Sequence, residues 1–373
     1  MPAAVISRLP ADDFAERAQA FAGLHAGRPV QDFVRNLDAQ VEVVAVGDIS
    51  IPVTVNAGNP GNAWICSPRA TYADCAAEEA ERYLSPWMIG GGRRLGRHLG
   101  NWLGAAGIDR AVAVNNWLVS TNLYPHLREV ALPALVDAVR ERWPTHAIWF
   151  RSLNPTDNAD WLAALVASGF RLLVSRQVYL YEDMAALSQR HANLNRDMRQ
   201  LARTSLHRVR NDDIVSGDYD RIARLYELLY MEKYSRFNPH YSAAFMRDWH
   251  RAGLLEFHGF RDESGLLQCV AGLFRQGATF TTPIVGYDTR LPQSLGLYRL
   301  LTACACEAAL EQGCRLNFSA GAAGFKRLRG GVPVLEYSAV DARHLPRRTR
   351  HAVDVLSVLS RRLGGPLLVR YGL

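Results

Sequence analysis

Residues 278–337 read ATFTTPIVGYDTRLPQSLGLYRLLTACACEAALEQGCRLNFSAGAAGFKRLRGGVPVLEY, and the fold is decided there. An apolar strand ends in Val285-Gly286-Tyr287-Asp288. A polar turn, Leu291 to Gly296, opens a helix-like run that stops at Gly313. A short strand follows at Leu316-Asn317-Phe318, and then a glycine-rich turn into Phe325-Lys326-Arg327. A strand that opens onto a glycine-bearing helix start makes an anion site. The first-turn N–H groups have no partner inside the helix, and the positive end of its dipole faces the same way.

Working outward, Asp218–Tyr234 carries apolar residues at helical spacing, and a second helix is expected over Pro239–Ala252. Glu256–Arg261 and Leu267–Arg275 read as strands joined by the turn Asp262-Glu263-Ser264-Gly265, with a third strand at Thr279–Tyr287. The helix at about Gln293–Glu311, the strand Arg315–Phe318, a helical turn near Phe325 and a last strand at Val334–Val340 complete this half. The first half repeats the pattern more weakly. It has a hairpin at Val41–Val46 and Ile51–Val55, and strand-like Ala111–Val114 and Trp117–Ser120. A helix over Pro125–Arg142, a strand at Ala147–Arg151, a helix at Asp157–Ser168 and a strand at Phe170–Tyr181 follow. Leu118–Asn122, a helix and Ile148–Ser152 parallel Ile284–Asp288, a helix and Leu316–Ser319, which points to an internal duplication.

The order of parts over Asp213–Ala342 resembles the GNAT acyltransferase superfamily. Gln293-Ser294-Leu295-Gly296-Leu297-Tyr298 resembles its pyrophosphate loop Q/R-x-x-G-x-G/A, with tyrosine in place of the last small residue. Phe325-Lys326 and the glycines around it resemble the (Y/F)-K-x-x-(W/F)-G segment of the Fem-like branch, whose tandem enzymes take amino acids from aminoacyl-tRNA. Leu328-Arg329-Gly330 departs from that segment's aromatic-glycine part.

The resemblance implies an α/β (α+β) fold of two tandem GNAT-like domains, each a mixed, mostly antiparallel sheet flanked by helices. The boundaries are 1–183 for a degenerate N-terminal domain and 184–212 for a basic interdomain helix. They are 213–342 for the catalytic domain and 343–373 for a basic C-terminal helix. It also implies N-acyl transfer from acyl-CoA to the amine of a small metabolite, in specialised biosynthesis. A Fem-like aminoacyl-tRNA-dependent transferase and a non-catalytic binding protein are the alternatives.

By the same resemblance, Val285 and Gln293 to Tyr298 hold the acyl-CoA, and Lys326 stabilises developing negative charge in a tetrahedral intermediate or binds a phosphate. Tyr287, Asp288, Asn317 and Ser319 stand at the strand ends as acid–base candidates. Glu232, Tyr234 and His240 approach from the helix pair over the acceptor. Gly90-Gly91-Gly92-Arg93-Arg94-Leu95-Gly96 reads as a surface loop and a weaker anion candidate.

Composition narrows the classes. The chain has 373 residues, for which two domains is the natural count. Apolar residues make up 49%, enough for a sizeable core, so wholesale disorder is excluded. No run of 18 apolar residues exists and the N-terminus lacks a signal-peptide core, so a cytoplasmic protein is expected, with neither membrane nor DNA as partner. No Cys or His pair has metal-ligand spacing, so no metal is expected among the six cysteines. The net charge of +7 suits an anionic partner such as CoA or tRNA. Among 41 arginines stand only two lysines, Lys233 and Lys326, which singles out Lys326. Residues 184–210 carry six arginines (Arg190, Arg196, Arg199, Arg203, Arg208 and Arg210), read as the solvated face of a helix with RNA tracking as the sharper alternative.

Overall fold

The computed structural model describes residues 14–59, 61–81 and 86–372. Its strands are β1 (Gln40–Val46), β2 (Ile49–Ala57), β3 (Arg110–Val114), β4 (Ala147–Leu153), β5 (Arg171–Tyr181), β6 (His207–Val209), β7 (Glu256–Arg261), β8 (Leu267–Gln276), β9 (Thr279–Tyr287), β10 (Arg315–Asn317) and β11 (Val332–Asp341). They form one sheet in the order β1-β2-β3-β4-β11-β5-β10-β9-β8-β7-β6. Two adjacent pairs are parallel, β3 with β4 and β9 with β10; the other pairs are antiparallel. A parallel pair needs a crossover. The helices Leu132–Arg142 and Leu297–Glu311 supply the two crossovers.

Read from either end, the sheet has the same plan: an antiparallel meander, one parallel pair, then a strand from the other half. The fold is thus two halves of the same plan in one continuous, mostly antiparallel sheet flanked by helices. The halves exchange strands. β5 pairs with β10, β11 pairs with β4, and the exchanged strands pair with each other at the centre. The halves β1–β5 and β6–β11 therefore interlock through their strands.

The core follows from this junction. Trp117 packs on Phe274 at 5.4 Å between ring centroids, and Phe21 on Trp249 at 5.5 Å, each pair joining the two halves. All four rings are fully buried, and each contributes about 1.5–3 kcal/mol by leaving water. Tyr241 adds a buried hydrogen bond across the halves, its hydroxyl donating to the Leu118 carbonyl at 2.7 Å. The C-terminal helix Arg347–Leu359 buries Ala352, Val353 and Leu356 in the same apolar cluster as Trp149 and Leu173.

Five expectations change. Trp117–Ser120 is a buried bend, because Asn122 accepts from the Trp117 N–H and Asn115 accepts from its indole, while Leu118 takes φ +58°. The helix expected from Pro125 begins only at Leu132, after a short turn at Leu127–Glu129. The helix expected from Pro239 begins at Ala243, where Ser242 caps it by accepting from the Phe245 N–H. Residues 184–210 form two helices, Met184–Arg190 and Ala192–Leu201, and then β6. The glycines at 90–96 lie inside the helix Pro86–Ala105, so they form no anion loop. Gly96 instead allows close helix packing, since a Cβ there would meet the Ala77 Cβ at 2.5 Å.

Candidate functional site

β10 pairs with β9 over only three residues, Arg315 to Asn317 against Thr279 to Thr281. Beyond Thr281, β9 runs on to Tyr287 against β8 while the chain after β10 turns away at Ser319. This parting is the seam where the sequence placed the chemistry. Val285 and Tyr287 are half-buried on β9. Gly286 is where the helix Asp218–Glu227 crosses the strand. A Cβ at 286 would stand 2.6 Å from the Leu225 carbonyl carbon and the Tyr226 nitrogen, so no larger residue fits.

The helix start has the expected shape. Gln293–Leu295 forms a single tight turn, Gly296 takes the left-handed conformation (φ +63°), and the helix runs from Leu297. Gln293 and Ser294 are exposed, and Leu297 is buried. Tyr298 turns away from solvent. Its ring lies 4.8 Å from Phe325 and 6.3 Å from Tyr287, bridging the end of β9 and the short helix Ala323–Arg327 that follows β10. Burial raises its hydroxyl pKa well above the usual tyrosine range.

A second layer covers this helix start. From the helix Ala192–Leu201, the Gln200 amide donates to the Leu295 carbonyl at 3.2 Å. Three residues earlier, fully buried Asp197 accepts from Arg299 at 2.6 Å and from Arg329 at 2.5 Å, tying the helix start to the turn after Lys326. Arg190 on the helix Met184–Arg190, Arg196 and Arg199 on the helix Ala192–Leu201, and Arg203 and Arg210 beyond them are exposed. Arg208 is half-buried against Glu307.

Lys326 is buried. Its ammonium donates to the carbonyls of Phe318 (2.7 Å), Ser319 (3.1 Å) and Ala320 (2.7 Å). Burial, and then nearby Arg176, lower its pKa to about 7. The three carbonyls favour the ammonium and oppose that shift. Asn317 is buried and accepts from the Ser319 N–H at 2.9 Å. The Ser319 hydroxyl accepts from Thr121 at 3.0 Å and from Arg176 at 3.1 Å. Arg176, on β5, also makes a buried ion pair with Glu336 of β11 at 2.7 Å. The exchanged strands thus reach the loop that Lys326 holds.

The remaining candidates are placed differently. Asp288 is buried and bonded to Arg290 (2.6 and 2.8 Å) and Arg221 (3.0 Å). The Arg290 hydrogen bonds hold its carboxyl well below the usual range, so it is a permanent ion-pair partner. Glu232 is exposed and pairs with Arg224 at 2.8 Å. His240 lies 3.4 Å from both Glu227 and Arg35, and burial followed by Arg35 lowers its pKa. Tyr234 is 43% exposed, with its ring 5.9 Å from Tyr230. The structure brings Tyr287, Tyr298, Phe325 and the 317–320 loop together, and leaves Glu232 and His240 in ion pairs of their own.

Burial pushes the thiols of Cys66, Cys269 and Cys306 up, and that of Cys304 to about 12, so none is a thiolate near neutral pH. Among the described residues no group of three or more His, Cys, Asp or Glu side chains is arranged to hold a metal. None of their helices is long and apolar enough to cross a membrane. Sequence reading missed Asp197, Gln200 and Arg176. One signal was present for the first: Asp197 is the single acidic residue in the arginine-rich stretch 184–210.

Residues 188–327 match the family model of the acetyltransferase (GNAT) domain, so this part of the chain is a GNAT-type domain. Among solved structures, L-PGS from Bacillus licheniformis matches 96% of this chain and 99% of its own, with 10% identity and a TM-score of 0.50. FemX matches 56% of this chain and 76% of its own, with 12% identity and a TM-score of 0.44. A tandem GNAT protein from the clavulanic acid biosynthesis pathway matches 62% of this chain and 75% of its own, with 13% identity and a TM-score of 0.36. No curated protein matches the chain in sequence.

Proposed function

We propose that this GNAT-type protein transfers an aminoacyl group from aminoacyl-tRNA to an acceptor amine at the seam between β9 and β10. The observation that carries the reading is the arginine face of residues 190–203. Arg196 and Arg199 sit on the helix that Asp197 and Gln200 tie to the rim of the seam, with Arg190 and Arg203 just before and after it. A row of exposed guanidinium groups at that rim suits a polyanionic carrier, whose phosphates give affinity without sequence readout. Acyl transfer asks little else of the protein. The ester is already activated, so the site must orient the carbonyl and the amine and stabilise the charge that grows on oxygen. Lys326 suits this task by fixing the 318–320 loop and placing positive charge beneath it.

Acyl-CoA, with a small-metabolite amine as acceptor, is the second reading. Gly296 and the exposed Gln293–Ser294 turn at a helix start favour it. Against it stand Tyr298, packed across the seam onto Phe325, and Gln200, over the loop. Parallel titrations with charged tRNA and with acetyl-CoA test the choice. Micromolar tRNA binding with no CoA heat supports the first reading; micromolar CoA binding with none to tRNA replaces it with the second.

A further inference from the structure

A cavity of about 20 Å³ lies beside the parallel pair β3 and β4, lined by Trp64, Cys66, Tyr72, Trp149, Arg151 and, from β11, Ser338 among others. Its charge is unbalanced. Arg151 is 9% exposed, and its guanidinium donates to two neutral acceptors, the Ile65 carbonyl at 2.8 Å and the Asn116 side-chain oxygen at 3.1 Å. Among the described residues no carboxylate lies within ion-pair distance of it. Arg176 stands close by, with both guanidinium groups about 5 Å from the centre of the Trp64 ring (5.0 and 4.9 Å). Glu336 pairs with Arg176 through one oxygen, and its other oxygen is buried with no hydrogen-bond partner among the described residues. Two permanent cations therefore share one carboxylate in a buried setting, which costs stability unless a further anion joins them. A second feature points the same way. The Trp149 indole N–H is buried and has no acceptor among the described residues, although Trp149 lines the cavity and is only 2% exposed.

We propose that this cavity binds the carboxylate of a small organic acid, with Arg151 as its counter-charge and the Trp149 indole as a neutral donor. A guanidinium matches a planar carboxylate in shape as well as charge. The volume holds one water-sized group, so a single carboxylate oxygen enters it and the rest of the molecule lies outside, past half-exposed Trp64 and Thr71. The surplus of positive charge disfavours a cationic ligand. Arg176 links this site to the loop that Lys326 holds, through its bond to Ser319 at 3.1 Å, and the argument for the site does not rest on which acyl donor the protein uses.

The test is nitrogen-15 NMR of the tryptophan indoles in the full-length protein during titration with sodium acetate, lactate or glycine, at ionic strength held constant with sodium chloride. The Trp149 resonance is assigned by its loss in Trp149→Phe. The expected result is a saturable shift of that resonance with at least one of the three probes. Affinity for that probe should fall tenfold or more in Arg151→Gln and in Ser338→Val, which fills the cavity and keeps the charge. The second variant covers the case in which Arg151→Gln does not fold. Shifts that grow without saturation for all three probes, shifts that sodium chloride alone reproduces, or undiminished binding in the folded variants would overturn the proposal.

Discussion

Gln200 lies against Gly296: its amide nitrogen stands 2.7 Å from where a Cβ at position 296 would be. One contact thereby joins the arginine-bearing helix to the loop that in sequence resembles a pyrophosphate cradle. Gly296→Ala should destabilise the protein by about 1–2 kcal/mol from the left-handed backbone alone, with crowding of Gln200 in addition. The double variant with Gln200→Ala should recover the crowding part only. Urea denaturation of wild type, Gly296→Ala, Gln200→Ala and the double variant measures both parts; a Gly296→Ala midpoint equal to wild type would show that the residue is not left-handed.

Asp197→Ala should be among the most damaging single changes in this region. It leaves Arg299 and Arg329 without their shared carboxylate, and breaking a buried ion pair costs about 3–5 kcal/mol. Asp197→Asn keeps the shape and one acceptor, and should cost less. Thermal unfolding of the two variants checks the order, and equal stability would mean that the carboxylate charge is irrelevant.

Lys326 gives a pH signature. The unfolded chain keeps this proton to near 10.5, the folded chain to about 7. Between those values unfolding takes up a proton, so the lysine's contribution to stability rises with pH, by at most about 1.4 kcal/mol per pH unit. Below pH 7 both states are protonated and the cost of the buried charge is fully present. Wild-type stability relative to Lys326→Met should therefore increase from pH 7 to pH 9. A flat difference over that range would show that the three carbonyls keep the ammonium charged as in water.

Asp288 behaves in the opposite sense. Its folded pKa lies below the ordinary 3.8, chiefly through Arg290. Its ion pairs stabilise the fold above that ordinary value, and the benefit is lost as pH falls through the folded one. Asp288→Asn should lower stability at neutral pH and narrow the gap to wild type in acid. If the gap is unchanged on acidification, the ion pairs are not formed.

The local elements were legible because their signals are local. The apolar run Thr279–Tyr287 gives β9 at its observed bounds, and the following helix ends at Glu311 as expected but starts at Leu297, four residues after Gln293, because Gln293–Leu295 forms a separate tight turn. The strand exchange was not legible. Phe170–Tyr181 reads as a strand, but nothing in its residues names β10 and β11 as its partners, and Arg176 meets Glu336 across 160 positions. Lys326 stood out as a lysine in an arginine-rich chain, whereas Arg151 and Arg176 were hidden among 41 arginines. Glu232 and His240 were placed by helix position alone, which cannot show that each already has a partner in Arg224, Glu227 or Arg35.

The most direct measurement is the salt dependence of charged-tRNA binding by wild type and by the Arg199→Glu, Arg203→Glu variant. The account predicts affinity that falls steeply as salt rises. The variant should bind at least tenfold more weakly at low salt, with a shallower slope because fewer counterions are released. Equal affinity and slope in the two proteins, or no tRNA binding at low salt, would contradict the assignment of the arginine face to the acyl carrier.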